Sequence, residues 1–270
     1  QHIREMAGCY KADGTKHDGQ LTSLDLSDAQ LVSSQLTQEV YFRNLGSRTA
    51  QITSDGPQAL FAYLEDLQRV TLPGNLPSIG ESTFRWCQSL DSVALPGKLR
   101  NIGDYAFERC GQLGRIKLPN SLTSIGASAF RSCGKLATLN LPDGLQSLGS
   151  LALGDCGGLQ EIYTYQPAPA SAGEDTFSGI SSDCTLFVPQ GAIDQYRKAT
   201  GWSSIGHIVE IGPVTVAVKR AGTLASLIDP AQKYKTTMLT VTGLLNSNDI
   251  QYIREMAGCY KADGTKHDGQ

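Results

Sequence analysis

The sequence predicts an α/β solenoid: a right-handed coil of 23-residue units with a parallel strand ladder, flanked by small α+β cap segments. Three observations predict it. Cys87, Cys110, Cys133 and Cys156 are spaced 23 residues apart, and Pro73, Pro96, Pro119 and Pro142 keep the same step, as do Gly80, Gly103, Gly126 and Gly149. Leu76, Leu99, Leu122 and Leu145 form a further column, Leu90, Leu113, Leu136 and Leu159 another, and Phe84, Phe107 and Phe130 a third that ends at Leu153. A unit this short cannot bury its own apolar face and must stack on its neighbours.

Within a unit, "LxxIxLP" alternates apolar and polar positions, which predicts a short strand with one face inward. The proline ends the ladder, and "xxLxxIG" predicts a second short extended piece closed by a glycine turn. "xxAFxxCxxL" places Ala, Phe, Cys and Leu at i, i+1, i+4 and i+7, the stripe of about two helical turns. Each unit is therefore expected to run strand, turn, short strand, short helix. The cysteine recurs because one inward slot per coil needs a small apolar side chain.

The chain divides on this reading into four parts. Residues 1–57 hold a cap helix, a leading strand in "LTSLDLSDAQLVS" and a loop. Residues 58–165 hold the repeats; Phe61, Leu64, Leu67 and Val70 stand 23 residues before Phe84, Cys87, Leu90 and Val93, so a degenerate coil with Leu64 in the cysteine slot comes first. In residues 166–212, "QPAPASAGEDTFSGISS" reads as a surface loop, "CTLFVP" as a last strand and "AIDQYRKATGW" as a helix covering the open end. Residues 213–270 read as strand, helix, strand, helix, with Asn248 as N-cap, Gln251 at N3 and Gly258 at the C-terminal cap.

Residues 251–270 repeat residues 1–20 with one difference, His2 against Tyr252. The duplication is either incidental or the mark of tandem modules with a period of 250 residues. On the second reading, residues 213–270 begin another module and dock on the N-terminal end of a neighbouring molecule, a heterologous contact that propagates head to tail.

A formal net charge of −3 argues against a generic nucleic-acid or anionic-membrane binder. No stretch of about 18 apolar residues is present, and no signal peptide is visible. The cysteine ladder lacks CxxC metal spacing, and parallel Cβ vectors do not converge on disulfides, so the ladder reads as core. Cys9, Cys184 and Cys259 lie outside it; Cys156 could pair with Cys184 in an exported protein, although the odd total of seven does not encourage this. His2, His17, His207 and His267 sit beside no nucleophile. Asp13 and Asp18 each precede glycine but lack a calcium-loop pattern, and no nucleotide-binding or hydrolase motif occurs. The reading is non-enzymatic, with no cofactor and no metal.

What remains is surface. The residues beside the inward positions of the first strand are Arg69 and Thr71, Ser92 and Ala94, Arg115 and Lys117, Thr138 and Asn140, Glu161 and Tyr163, with Tyr165 beyond. They predict a flat row with basic charge at its centre and tyrosines at one end, either an ordinary solvated face or a protein-binding one. Trp86, between Arg85 and the inward Cys87, projects outward or covers a neighbouring coil.

The pattern "LPxxLxxIGxxAFxxCxxLxxI" over residues 58–165 resembles the BspA-type leucine-rich repeat of surface proteins from Bacteroides-like bacteria. Residues 184–211 and the flanks "AGTLASLI" and "IREMAG…LTSLDLSDAQLV" are similar to the segments that end and precede such arrays. The resemblance implies a cell-surface or secreted bacterial protein that adheres to host matrix or cell proteins. The binding residues are then Arg69, Arg115, Lys117, Thr138, Asn140, Tyr163, Tyr165 and Trp86. Two alternatives stand beside it: a self-associating scaffold assembled through residues 213–270, and a polysaccharide binder needing a row of exposed aromatics.

Overall fold

The computed structural model describes residues 21–29, 34–42, 46–53, 56–212, 214–228 and 239–256. It divides into two compact units, Gln1–Val209 and Glu210–Gln270. The expected cap helix near residue 1, most of the second copy of that segment, and the readings on Cys9, Cys259, Gly258, His2, His17, His267, Asp13 and Asp18 lie outside the described residues.

In the first unit, β1 (Ser23–Asp25) precedes an antiparallel meander of β2 (Ser34–Phe42), β3 (Gly46–Thr53) and β4 (Gly56–Gln58). Sequence reading made this stretch a loop, yet "EVYF" and "RTAQIT" are rich in β-branched and aromatic residues. The chain then alternates between two positions on successive coils: β5 (Arg69–Thr71), β6 (Ser78–Ile79), β7 (Ser92–Ala94), β8 (Asn101–Ile102), β9 (Arg115–Ile116), β10 (Ser124–Ile125), β11 (Thr138–Leu141) and β12 (Ser147–Leu148). Next come β13 (Glu161–Thr164), β14 (Thr185–Pro189), α1 (Ile193–Lys198), a 3-10 turn at Trp202–Ser204 and β15 (His207–Ile211). The odd-numbered members pair in parallel as β1-β5-β7-β9 and again as β11-β13, followed by β14 and β15; the even-numbered ones pair as β6-β8-β10-β12. The register steps by one repeat, Arg69 to Ser92 to Arg115 and Ser78 to Asn101 to Ser124 to Ser147. The array is a parallel-strand β-solenoid of about seven turns with little helix.

The short helix expected over "xxAFxxCxxL" does not form. Its place is taken by overlapping turns, in which the N–H groups of Ser82, Phe84 and Trp86 donate to the carbonyls of Asp104, Ala106 and Glu108 in the next coil. The N–H groups of Arg85 and Cys87, each following one of these, close local turns onto the carbonyls of Ser82 and Phe84. An α-helix would keep all of these donors within one coil. Splitting them requires left-handed backbone at two positions per coil. Ten non-glycine residues, from Ala59 to Asp155, adopt φ between 50° and 62°.

The core lies between these three sides. Phe61, Phe84, Phe107 and Phe130 stack with ring centroids 5.2 Å apart and planes within 18° of parallel. Cys87, Cys110, Cys133 and Cys156 are fully buried thiols outside any disulfide. Each thiol donates to the carbonyl of the phenylalanine one coil back plus three residues: Phe61, Phe84, Phe107 and Phe130, at 3.0, 3.1, 3.2 and 3.0 Å. The glycine that closes each second strand has ordinary backbone angles and is required by close approach instead. A Cβ on Gly126 would stand 2.6 Å from the Asp104 nitrogen, and one on Gly149 2.4 Å from the Ala127 nitrogen.

Residues 166–182, expected as a surface loop, complete an irregular further coil. Leu148 donates to the Ser171 carbonyl, Leu153 to that of Thr176, and Phe177 is 2% exposed in the phenylalanine column. The far end is closed by Tyr196 of α1 and by Trp202, both fully buried and edge-to-face. Their polar ends are satisfied, the Tyr196 hydroxyl donating to the Gln166 carbonyl at 3.0 Å and Trp202 Nε1 to that of Ala170 at 2.7 Å.

In the second unit, β16 (Val214–Val218) and β17 (Leu239–Gly243) pair in parallel. α2 (Leu224–Leu227) lies between them in sequence and α3 (Ser247–Met256) follows. Val216, Val218, Leu224, Ile228 and Met256 form its core. The α3 cap sits two residues before the expected Asn248. Asn246 Oδ1 accepts from the N–H groups of Asn248 and Asp249, and the Asp249 carboxylate accepts from Asn246, completing a capping box. Asp249 also accepts from Gly222 and Leu224. Burial opposes its charge, but the Leu224, Gly222 and Asn246 N–H groups outweigh this and hold its carboxyl below the usual range.

Candidate interaction surface

Because side chains alternate along each strand, one row per coil turns away from the core. Arg69, Arg115, Lys117, Thr138 and Asn140 are exposed, Thr71, Ser92 and Glu161 half-buried, and Ala94 exposed. Register brings Arg69, Ser92 and Arg115 side by side, then Thr138, Glu161 and Thr185. Arg69 lies 3.9 Å from Asp91 in an exposed ion pair, worth little. Arg115 and Lys117 have no ion partner within 4.0 Å among the described residues, leaving their charges available.

The tyrosine end of the row differs from expectation. Tyr163 is 2% exposed, because its ring stacks on Phe187 of the next strand with centroids 4.5 Å apart and planes 7° from parallel. It cannot offer a contact surface. Tyr165 is half-buried, and burial, then the neighbouring Tyr163 and Asp143, pushes its phenol up to about 12. The row therefore presents basic and small polar groups without aromatic anchors.

Trp86 stands on the turn side, away from this row. It stacks on Tyr63 of the preceding coil at 5.7 Å, and the Arg109 guanidinium of the following coil lies 4.5 Å over its ring. Beside it, the buried Arg85 and Glu108 form an ion pair at 2.5 Å, with Arg85 also 4.8 Å over Tyr105. Arg131 pairs with Asp155 at 2.8 Å. Trp86 thus covers its neighbours and joins a file of coil-to-coil ties: Tyr63, Trp86 and Arg109 in one column, Arg85, Glu108 and Arg131 in the next. The 23-residue step carried that signal, since these positions fall in register.

Among the described residues no group of histidine, cysteine, aspartate or glutamate is arranged to hold a metal ion. No helix there is long and apolar enough to cross a membrane.

Residues 57–183 match the family described as "BspA type Leucine rich repeat region", in six copies. A comparison with curated protein sequences finds no match. Among solved structures, the chain is similar to the leucine-rich repeat protein of T. pallidum, at 21% identity over 74% of this chain and 92% of that one, TM-score 0.42. It is also similar to the pneumococcal vaccine antigen PcpA, at 21% identity over 70% of this chain and 56% of that one, TM-score 0.47. A leucine-rich repeat protein from Bacteroides ovatus is similar at 17% identity over 69% and 70%, TM-score 0.27.

Proposed function

We propose, from the premise that residues 57–183 form a BspA-type leucine-rich repeat region, that this chain is a non-catalytic protein-binding module of a bacterial surface or secreted protein. It adheres to host matrix or cell proteins through the strand face. The supporting observation is the row of Arg69, Arg115, Lys117, Thr138 and Asn140, held outward at whole multiples of the repeat step on one face of the ladder. Neighbouring coils set such side chains roughly 4.8 Å apart, so weak contacts add along an extended partner. Cations at the centre of the row with no ion partner among the described residues favour an acidic protein surface and give salt-sensitive association.

Binding of the chain to immobilised extracellular-matrix protein, measured by biolayer interferometry, tests this. The double variant Arg115→Glu and Lys117→Glu should lose at least about tenfold in affinity, mostly through slower association, with an unchanged thermal midpoint. Binding unaltered by the double charge reversal would discard this face.

A further inference from the structure

Among the described residues, each unit has a parallel ladder ending in a strand paired on one side only, and the sequence relates the two edges. Among the described residues β1 pairs only with β5, and β17 only with β16. On β1, the Thr22 carbonyl accepts from Arg69 at 3.0 Å and the Leu26 N–H donates to Thr71 at 2.9 Å. Backbone groups alternate sides along a strand, so the N–H groups of Ser23 and Asp25 point to the edge away from β5. On β17, the Leu244 N–H donates to Val218 at 2.9 Å. The same alternation sends the N–H groups of Leu239 and Val241 to the edge away from β16.

The side chains tell the same story. Leu24 is only partly buried, whereas Val70 and Val93, next in its column, are 2% and 6% exposed. Leu239 and Val241 are likewise half-buried, whereas Val216 and Val218 of β16 are 7% and 1% exposed. Among the described residues, each strand is thus the last of its ladder and less buried than its neighbour. Five large apolar side chains are exposed among the described residues, and four lie in the second unit: Leu227, Leu244, Leu245 and Ile250, at 48%, 64%, 40% and 47%.

We propose that these edges meet between two copies of this chain: β17 of one copy pairs in parallel with β1 of the next, Thr240 beside Ser23, Val241 beside Leu24 and Thr242 beside Asp25. This register places Val241 and Leu24 in one inward column. The occupant is a second copy because residues 251–270 repeat residues 1–20 apart from one position. The helix that follows β17 is thereby spelled by the same residues that lead into β1. The contact is heterologous, since edge and counter-edge differ, and it propagates head to tail. It goes beyond the adhesive reading and does not depend on it, although tandem display would raise avidity.

The experiment is light scattering on the full chain over a wide concentration range, with two edge variants. Proline is tolerated at sheet edges and strand starts but removes the N–H that pairing needs. Ser23→Pro blocks the β1 edge at an exposed position, and Leu239→Pro blocks the β17 edge at its first residue. The parent chain should grow past the dimer as concentration rises. Each variant alone should stay at the 28.9 kDa of one chain. An equimolar mixture should form a dimer and stop there, since one variant keeps a working β17 edge and the other a working β1 edge. That rescue also shows both variants folded. A parent chain monomeric throughout, or a Ser23→Pro chain that still polymerises with native far-UV circular dichroism, would overturn the proposal.

Discussion

The recurring cysteine serves two needs at one position, and only one of them is readable from composition. Its size fits an inward slot beside stacked phenylalanines, as the period implies. Its thiol also donates to a phenylalanine carbonyl one coil back, so an alanine in the slot would remove one of that carbonyl's two donors and leave its backbone N–H partner. Burial raises the thiol pKa of Cys110, Cys133 and Cys156, to about 12 for Cys156. A group whose folded value is raised keeps its full contribution below its unfolded value and loses it as pH rises toward the folded one. The window is therefore alkaline, from the ordinary thiol value of 9.0 to about 12. Urea unfolding at pH 8 and near pH 10.5 should show the parent chain losing on the order of 2 kcal/mol through Cys156 across that interval. Cys156→Ala, at a cost of about 1–2 kcal/mol at pH 8, should lose correspondingly less on the way to the higher pH. An identical alkaline loss in the variant would show that Cys156 is not its source.

At the scale of the element, the coil is set by how closely one backbone lies on the next. Gly126 has the Asp104 nitrogen 2.6 Å from where a Cβ would stand, whereas the exposed Gly97 has nothing within 4 Å. Gly126→Ala should cost about 2–3 kcal/mol through forced separation of two coils. Gly97→Ala should be neutral or stabilise by up to about 1 kcal/mol, by restricting the unfolded chain. Chemical denaturation of the pair checks both. What the sequence discloses at this scale is position more than conformation. Both strand ladders, and the early coil carrying Phe61 and Leu64, followed from the step of 23. The helix did not, because Ala, Phe, Cys and Leu at i, i+1, i+4 and i+7 suit either a helix or overlapping turns. Only the left-handed φ of residues such as Ser82 and Trp86 separates them. The coil through Phe177 was hidden because "QPAPASAGEDTFSGISS" breaks the regular step. The α3 cap was misplaced because Asn246 and Asn248 are equally good cap residues; Asp249, three residues after Asn246, was the distinguishing signal.

At the scale of the whole molecule, side chains in the first unit fall into interior columns that run from coil to coil, and function is left to the rows outside. The outward row was legible from alternation alone, and Arg69, Arg115, Lys117, Thr138 and Asn140 stand where it put them. Tyr163 does not, because burying it depends on Phe187, a residue beyond the regular repeats whose partner no spacing announces. For Trp86, which the sequence leaves either outward or covering a neighbouring coil, the second holds, with Tyr63 and Arg109 as the partners. The shared interior is the claim on which the binding face and the open ladder edges both rest. Thiol labelling tests it most directly, using a full chain with Cys9 and Cys259 replaced by serine and a thiol-reactive dye at pH 8. The account predicts no reaction at Cys87, Cys110, Cys133, Cys156 or Cys184 in the native chain, and reaction of all of them once denaturant unfolds the array. Rapid labelling of any of the first four in the native chain would contradict it.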